Sequence, residues 1–338
     1  MAAIATTTAR YRMSVQDEPV LRPNVRNQVA VGHALIDDCS FEQACEAIVA
    51  HARSGGRPSF VTTANAQHVV LLERDRHLRK IYGRADLIVP DGHSLLLAAR
   101  FSRRSLSGRV TGVDMFQSLC ELAAQHGLHV FLLGGRPNSA DLTAEVLRKR
   151  LPGLRVTTHC PPLGFEKSDK ELEVVAEAIR SAKPDLTFVA LGAPKQEYWI
   201  HDHGLKLGVS VLMGVGGTFE MVAGMVRRAP LWMQRTGLEW LHRLCLEPRR
   251  MWRRYLVGNL VFGAVVVRQQ ARRILIETFL RYMREEKFAA ELQEPEVAAR
   301  LRDIASRKVN EPLPTDTLHA NGASHMGRDE DESSEVRM

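Results

Sequence analysis

The chain has 338 residues, of which 45% are hydrophobic and 25% charged, a balance that suits a globular protein with a large core and excludes a fibrous or wholly disordered one. Its net charge of +7 favours anionic partners: phosphorylated substrates, nucleic acid or an anionic membrane surface. The five cysteines, Cys39, Cys45, Cys120, Cys160 and Cys245, are odd in number and lack C-x-x-C spacing, which argues against a disulfide framework and a zinc site and fits a reducing cytosol.

Length alone suggests roughly two domains. Residues 1–27 show low apolar content and no periodicity, so a disordered arm is expected there, without the apolar segment of a secretory signal. Residues 29–36 read as a strand. Ser40 with Gln43 forms a capping box opening a helix to about Ala52, which Gly55-Gly56 closes. The strand Ser59-Phe60-Val61-Thr62 runs into Thr63-Ala64-Asn65 and then a helix with apolar Val69, Val70 and Leu72. Thr63 and Asn65 therefore fall at a strand-to-helix junction, where Asn65 is also the expected cap.

The stretch ADLIVPDGHSLLLAARFSRRSLSGRVTG, residues 85–112, is the most informative. Residues 87–89 are an apolar strand, Pro90 ends it, and Asp91-Gly92 turns the chain into a helix with Leu95, Leu96 and Ala99 inward. In an open α/β sheet, ligands bind at the carboxyl ends of the strands, so Asp91 stands where a general base is useful. The competing reading is that Asp91 only caps the helix that follows.

Asp114 starts a helix to about His126, and residues 128–133 form a continuous apolar strand of the doubly buried kind. Gly134-Gly135-Arg136-Pro137-Asn138 follows, then a helix from Ser139, a strand over 154–158 and a helix capped by Ser168 with Glu171. The strand over 186–191 ends in Gly192-Ala193-Pro194-Lys195-Gln196-Glu197, and that over 209–213 in Gly214-Val215-Gly216-Gly217-Thr218. This alternation predicts a Rossmann-like α/β fold, a mostly parallel sheet with helices on both faces. Three strands ending in glycine turns, at Gly134-Gly135, Gly192 and Gly214 to Gly217, suit a phosphorylated ligand, because bare backbone N–H groups can approach an anion.

From Arg227 the composition changes. Arg228, Arg243, Arg250, Arg253 and Arg254 alternate with Trp232, Trp240, Trp252 and aliphatic residues, a basic amphipathic helical pattern suited to a membrane surface. Residues 256–267 are apolar but too short to span a bilayer. The expected organisation is an arm over 1–27, an α/β catalytic domain over 28–226, an Arg/Trp-rich helical appendage over 227–287 with a membrane-docking role, and a polar, largely disordered tail over 288–338.

The only D-x-D pattern, Asp329 to Asp331, lies in that tail, and His201-Asp202-His203 reads as a solvated helix end. No metal is therefore expected, and a nucleotide diphosphate would be held by Arg side chains and backbone N–H groups. Gly214-Val215-Gly216-Gly217-Thr218-Phe219 half matches a dinucleotide-binding turn, with Phe219 in the third glycine position, so a nicotinamide oxidoreductase is one alternative. A noncatalytic membrane-associated scaffold is another. No G-x-S-x-G and no nucleic-acid-binding signature is present.

The segments VTTANAQHVV, DLIVPDGHSLLLAAR, GRVTGVDM, VFLLGG, LGAPKQEYW, GVGGTFE, RRAPLWMQRTGLEWLHRL and EPRRMWRRYL stand in the order and spacing of the WecG/TagA/CpsF family of bacterial glycosyltransferases, which the chain resembles over residues 29–268. The resemblance implies an inverting transfer from a UDP-sugar to a polyprenyl-diphosphate-linked saccharide in exopolysaccharide or cell-envelope polysaccharide synthesis, peripheral on the inner face of the cell membrane. It implies Asp91 as general base, Thr63, Asn65, Arg109 and Gln196 at the substrate, and the region of Arg228, Arg243, Arg250, Arg253 and Arg254 at the lipid diphosphate and membrane. N-acetylmannosamine, its uronic acid, glucose and glucuronic acid are all conceivable donor sugars, and the oligomeric state is left open. Glu220 departs from the more usual Asp of G-T-F-D, which puts a contact made there in question.

Overall fold

Short apolar strands with no polar face need cover on both sides, and the chain supplies it with helices between them. In the computed structural model, Leu21, residues 28–284 and Ala299 are described. The chain divides into one unit of Met13–Phe279 and another of Met1–Arg12 with Leu280–Met338. The sheet, its flanking helices and the cleft described below belong to the first.

A hairpin of β1 (Gln28–Val31) and β2 (Ala34–Asp37) is followed by α1 (Phe41–Ser54), β3 (Ser59–Ala64), α2 (Ala66–Arg74), α3 (Arg76–Gly83), β4 (Leu87–Pro90) and α4 (His93–Phe101). Next come α5 (Gly112–His126), β5 (His129–Gly134), α6 (Ser139–Arg150), β6 (Arg155–His159), α7 (Asp169–Ala182), β7 (Leu186–Ala190), α8 (Lys195–Asp202), β8 (Val211–Gly214) and α9 (Thr218–Val222). The basic region forms α10 (Leu231–Thr236), α11 (Glu239–Leu246), α12 (Pro248–Trp252), a π-helical turn at Arg253–Val257 and α13 (Gly258–Arg284).

Strands β3 to β8 form one parallel sheet in the order β4-β3-β8-β7-β5-β6. Successive side chains alternate between its faces. Val61, Val130, Leu132 and Phe188 pack into a core with α1, α5 and α6, whereas Phe60, Phe131, Leu133 and Val189 enter a second core with α2, α3, α7 and α8. The strand connections leave β3 and β8 adjacent, although one is reached early and the other last. The loops after β3, β4 and β8 thus meet at one carboxyl edge, the usual ligand position in such sheets.

Several local signals act as read. The Ser40 capping box is formed, α1 ends at Gly55 in the left-handed region, and Ser168 caps α7. Other readings change. Residues 29–36 are two strands, not one, because Gly32 at φ +58° turns the chain back. The helix after Asn65 breaks at Asp75, whose side chain accepts from Leu78 N–H and restarts it as α3. The apolar stretch at 256–267 closes the π-helical turn and forms only the first part of α13, a 27-residue helix. No helix among the described residues is long and apolar enough to cross a membrane. Of the arm at 1–27 only Leu21 is described, buried in the first core, and the tail at 288–338 lies outside the described residues apart from Ala299. The same holds for the Asp329 to Asp331 pattern.

Candidate active site

The register of β3 with β4 sets Ala64 opposite Pro90, so Asn65 and Asp91 leave the sheet side by side. Asp91 N–H donates to the Ala64 carbonyl at 2.6 Å, which ties the two junctions together. Gly92, at φ +120°, precedes α4, and no side chain caps that helix. Asp91 is therefore not a helix cap, and its carboxyl group lines a cleft of about 570 Å³. Among the described residues none donates a hydrogen bond to it. Burial pushes its pKa up to about 6 with help from the Glu239 charge, against the opposing pull of His68, Arg109 and Arg254. A carboxylate with no donor and a raised pKa has the properties of a general base working near neutral pH.

Thr63, Asn65, Arg109, Gly217, Arg228, Arg243 and Arg254 line the same cleft. Asn65 caps α2, its Oδ1 accepting from Gln67 N–H at 3.0 Å, so its capping and any ligand contact use different atoms. That division leaves the amide NH2 for a ligand, since no described residue accepts from it. Arg109 donates to Glu239 at 2.7 Å. Arg228 grips Asp114 with two bonds of 2.5 and 2.8 Å, and its Nε lies 3.7 Å from Glu239. Arg243 differs: no described residue accepts from its guanidinium, and its buried Nε has no partner. It leans over Gly217, where a Cβ would stand 2.7 Å from its Nη2, so a side chain at 217 would push the guanidinium aside.

The remaining site residues lie elsewhere. Gly134 and Gly135 take positive φ values of 85° and 88°, and Gly135 faces a separate polar cavity of about 420 Å³ with Asp141, Thr158 and Cys160. Gln196 is buried beneath the cleft rather than lining it, and its Oε1 accepts from Gly216 N–H at 3.0 Å. Arg253 is exposed over the Trp252 ring. The Arg250 side chain lies outside the described residues. Glu220 retains an ionic contact, 3.8 Å from Arg136 Nε, and Arg136 also donates to Glu247 at 2.5 Å. Among the described residues no group of three or more His, Cys, Asp or Glu side chains is placed to hold a metal ion. His201 instead pairs with Asp202 at 2.8 Å at the end of α8.

Glu239 is the cleft residue that sequence reading passed over. Its signal was present: with Glu247, it is an isolated acid within an arginine-rich stretch. Ion pairing with Arg109 and Arg228 at the cleft wall turns that isolated charge into part of the site.

A parallel doubly wound sheet with a carboxyl group and several arginines over its carboxyl edge is the arrangement of an α/β enzyme. The chain belongs to the glycosyl transferase WecG/TagA/CpsF family, whose model matches residues 29–275. It is 33% identical over 213 residues to an N-acetylglucosaminyldiphosphoundecaprenol N-acetyl-beta-D-mannosaminyltransferase of Bacillus spizizenii, covering 63% of this chain and 80% of that protein. Proteins of the same description from Bacillus subtilis and Staphylococcus aureus are 32% and 30% identical, each alignment covering 74% of the relative and 58% and 57% of this chain. Glycosyl transfer thus replaces the oxidoreductase and scaffold alternatives.

Proposed function

We propose that this glycosyltransferase moves a sugar from a UDP-sugar to a polyprenyl-diphosphate-linked saccharide with inversion, and that Asp91 is its general base. Asp91 takes the proton of an acceptor hydroxyl while that oxygen bonds to the anomeric carbon. The bond from that carbon to the UDP oxygen breaks in the same step, and the departing diphosphate is met by arginine and backbone N–H donors. Inversion needs one displacement and no sugar-enzyme bond. The observation that carries this reading is the carboxyl group without a donor, raised to a pKa of about 6, in a cleft lined by Arg109, Arg228, Arg243 and Arg254.

Thr63 and Asn65 contact substrate in this reading, with Gly217 presenting backbone to a phosphate; Gly216, expected beside it, spends its N–H on Gln196 and does not line the cleft, so the two support that turn from beneath. The glycines at 134 and 135 shape the neighbouring loop. The appendage meets the membrane: Leu231, Trp232, Trp252, Leu256 and Leu260 are exposed beside Arg253, an arrangement that suits an anionic bilayer interface. Because arginines supply the positive charge, no metal is invoked. The names of the relatives make UDP-N-acetylmannosamine the first donor to try and a polyprenyl-diphosphate-linked N-acetylglucosamine the first acceptor.

The test incubates the protein with UDP-sugars and that acceptor, with and without EDTA, and follows UDP release and lipid-product mass. The expected result is acceptor-dependent product that persists in EDTA and falls by about 10³-fold or more in Asp91→Asn. Near-normal turnover in Asp91→Asn would remove the base assignment, and loss of product in EDTA would remove the metal-free one.

A further inference from the structure

Glu197 is fully buried, yet the reaction proposed above gives it no task. A carboxyl group without water must be paired, and two groups face this one. Gln196 Nε2 donates to Glu197 Oε1 at 2.9 Å, and His68 Nε2 approaches the same oxygen at 3.4 Å as a charge-dipole contact rather than a hydrogen bond, while Glu197 Oε2 has no hydrogen-bond partner among the described residues. His68 is also buried, and its Nδ1 accepts from Asn65 N–H at 3.2 Å. An imidazole nitrogen that accepts an N–H carries no proton, so the ring proton belongs on Nε2, facing Glu197.

These contacts form one connected path beneath the cleft. From Glu197 it runs through His68 to the backbone of Asn65, and the preceding residue, Ala64, holds Asp91 N–H at 2.6 Å. From Glu197 it also runs through Gln196 to Gly216 N–H, in the turn that leads to Gly217 and the Arg243 guanidinium above it. Loops after β3, β4 and β8 are separate in sequence and meet only at the sheet edge. One buried carboxyl group joins all three.

We infer that Glu197 and His68 are a positioning pair that sets Asp91 against the phosphate-side turn by holding His68 in its Nε2–H form. Neither touches substrate. Glu197 fixes the tautomer, the tautomer leaves Nδ1 free to hold the Asn65 junction, and that junction carries Asp91. The inference rests on the reading of Asp91 as the base, but the pair's geometry can be tested without turnover.

Three variants separate positioning from simple structural support. Gln at a helix N3 position can accept the cap N–H as His68 does. His68→Gln should therefore keep kcat within about threefold of wild type, whereas His68→Leu, which lacks an acceptor, should lower kcat by about 10–100-fold at a donor KM changed less than about threefold. Glu197→Gln, an amide of the same shape able to turn its NH2 toward His68, should lower kcat by about tenfold. Thermal melts establish that the assayed protein is folded. Nitrogen-15 NMR of histidine-labelled wild-type protein, with His68→Gln identifying the signal, should show the Nε2–H tautomer, and Glu197→Gln should populate the other.

A folded His68→Leu with wild-type kcat, or a wild-type Nδ1–H tautomer, would overturn the inference. If His68→Leu does not fold, the Glu197→Gln rate and the NMR decide. Should wild-type protein transfer no sugar from any donor, the function proposed above fails, and the tautomer measurement still judges the pair.

Discussion

Asp91, the proposed base, works against the fold. Its carboxyl group titrates at an ordinary 3.8 when unfolded and at about 6 when folded, because burial disfavours the charged form. A proton is thus held more tightly in the native state, and stability falls as pH rises from about 4 to about 6 and stays lower above that. Asp91→Asn removes the buried charge. It should raise stability at pH 7.5 by roughly 1–3 kcal/mol, with the gain vanishing below pH 4, as read by chemical denaturation at both pH values. With Asp91 as the proposed base, the same titration should give activity an acid limb near pH 6, as read from the pH profile of kcat/KM. Glu239 adds negative charge beside Asp91 and occupies Arg109. Glu239→Gln removes that charge and releases the Arg109 cation, and both changes lower the Asp91 pKa. The acid limb of kcat/KM should move to lower pH by about half a unit or more; a limb that stays or moves upward would contradict this assignment.

At the scale of elements, α10 to α12 differ from the helices around the sheet. Helices α1 and α5 each bury several apolar residues against the sheet, while α10 and α11 bury none fully and leave Leu231 and Trp232 more than half exposed. Trp240 is the exception among the three tryptophans, since it lines the cleft, with its ring 6.0 Å from that of Tyr255. The membrane prediction therefore belongs to Trp232 and Trp252. Changing both to Ser should weaken binding to anionic vesicles by about tenfold or more, as measured by co-sedimentation, because two indoles lose their place at the interface. Turnover of a soluble short-chain acceptor analogue should be nearly unchanged. A loss of both activities together would mean that these rings support the cleft instead.

For the whole molecule, ionic contacts join the basic helices to the sheet edge. Glu239 reaches Arg109 and Arg228, and Glu247 reaches Arg136. The appendage thereby closes a wall of the cleft and presents its outer face at the same time. All five cysteines are free, and Cys39, Cys45 and Cys120 are buried with pKa values raised by burial. The thermal midpoint should accordingly be the same with and without dithiothreitol, within about 1 °C. A clear fall on reduction would reveal a crosslink.

The sequence by itself determined what depends on neighbours along the chain. Strand and helix alternation, the Ser40 and Ser168 caps, the doubly buried strands and the turn at Asp91-Gly92 follow from periodicity and from the hydrogen-bonding habits of single residues. The ordered motifs carried the family in the same way. Pairing across long separations was decided only by the tertiary structure. That Glu239 takes Arg109, and that Asn65 and Asp91 share a cleft with Gly217, follow from the strand order β4-β3-β8, which brings together loops more than a hundred residues apart. Desolvation makes the same separation. A carboxyl group looks alike in any sequence, and only burial distinguishes Asp91 and Glu197 from carboxylates that remain in water.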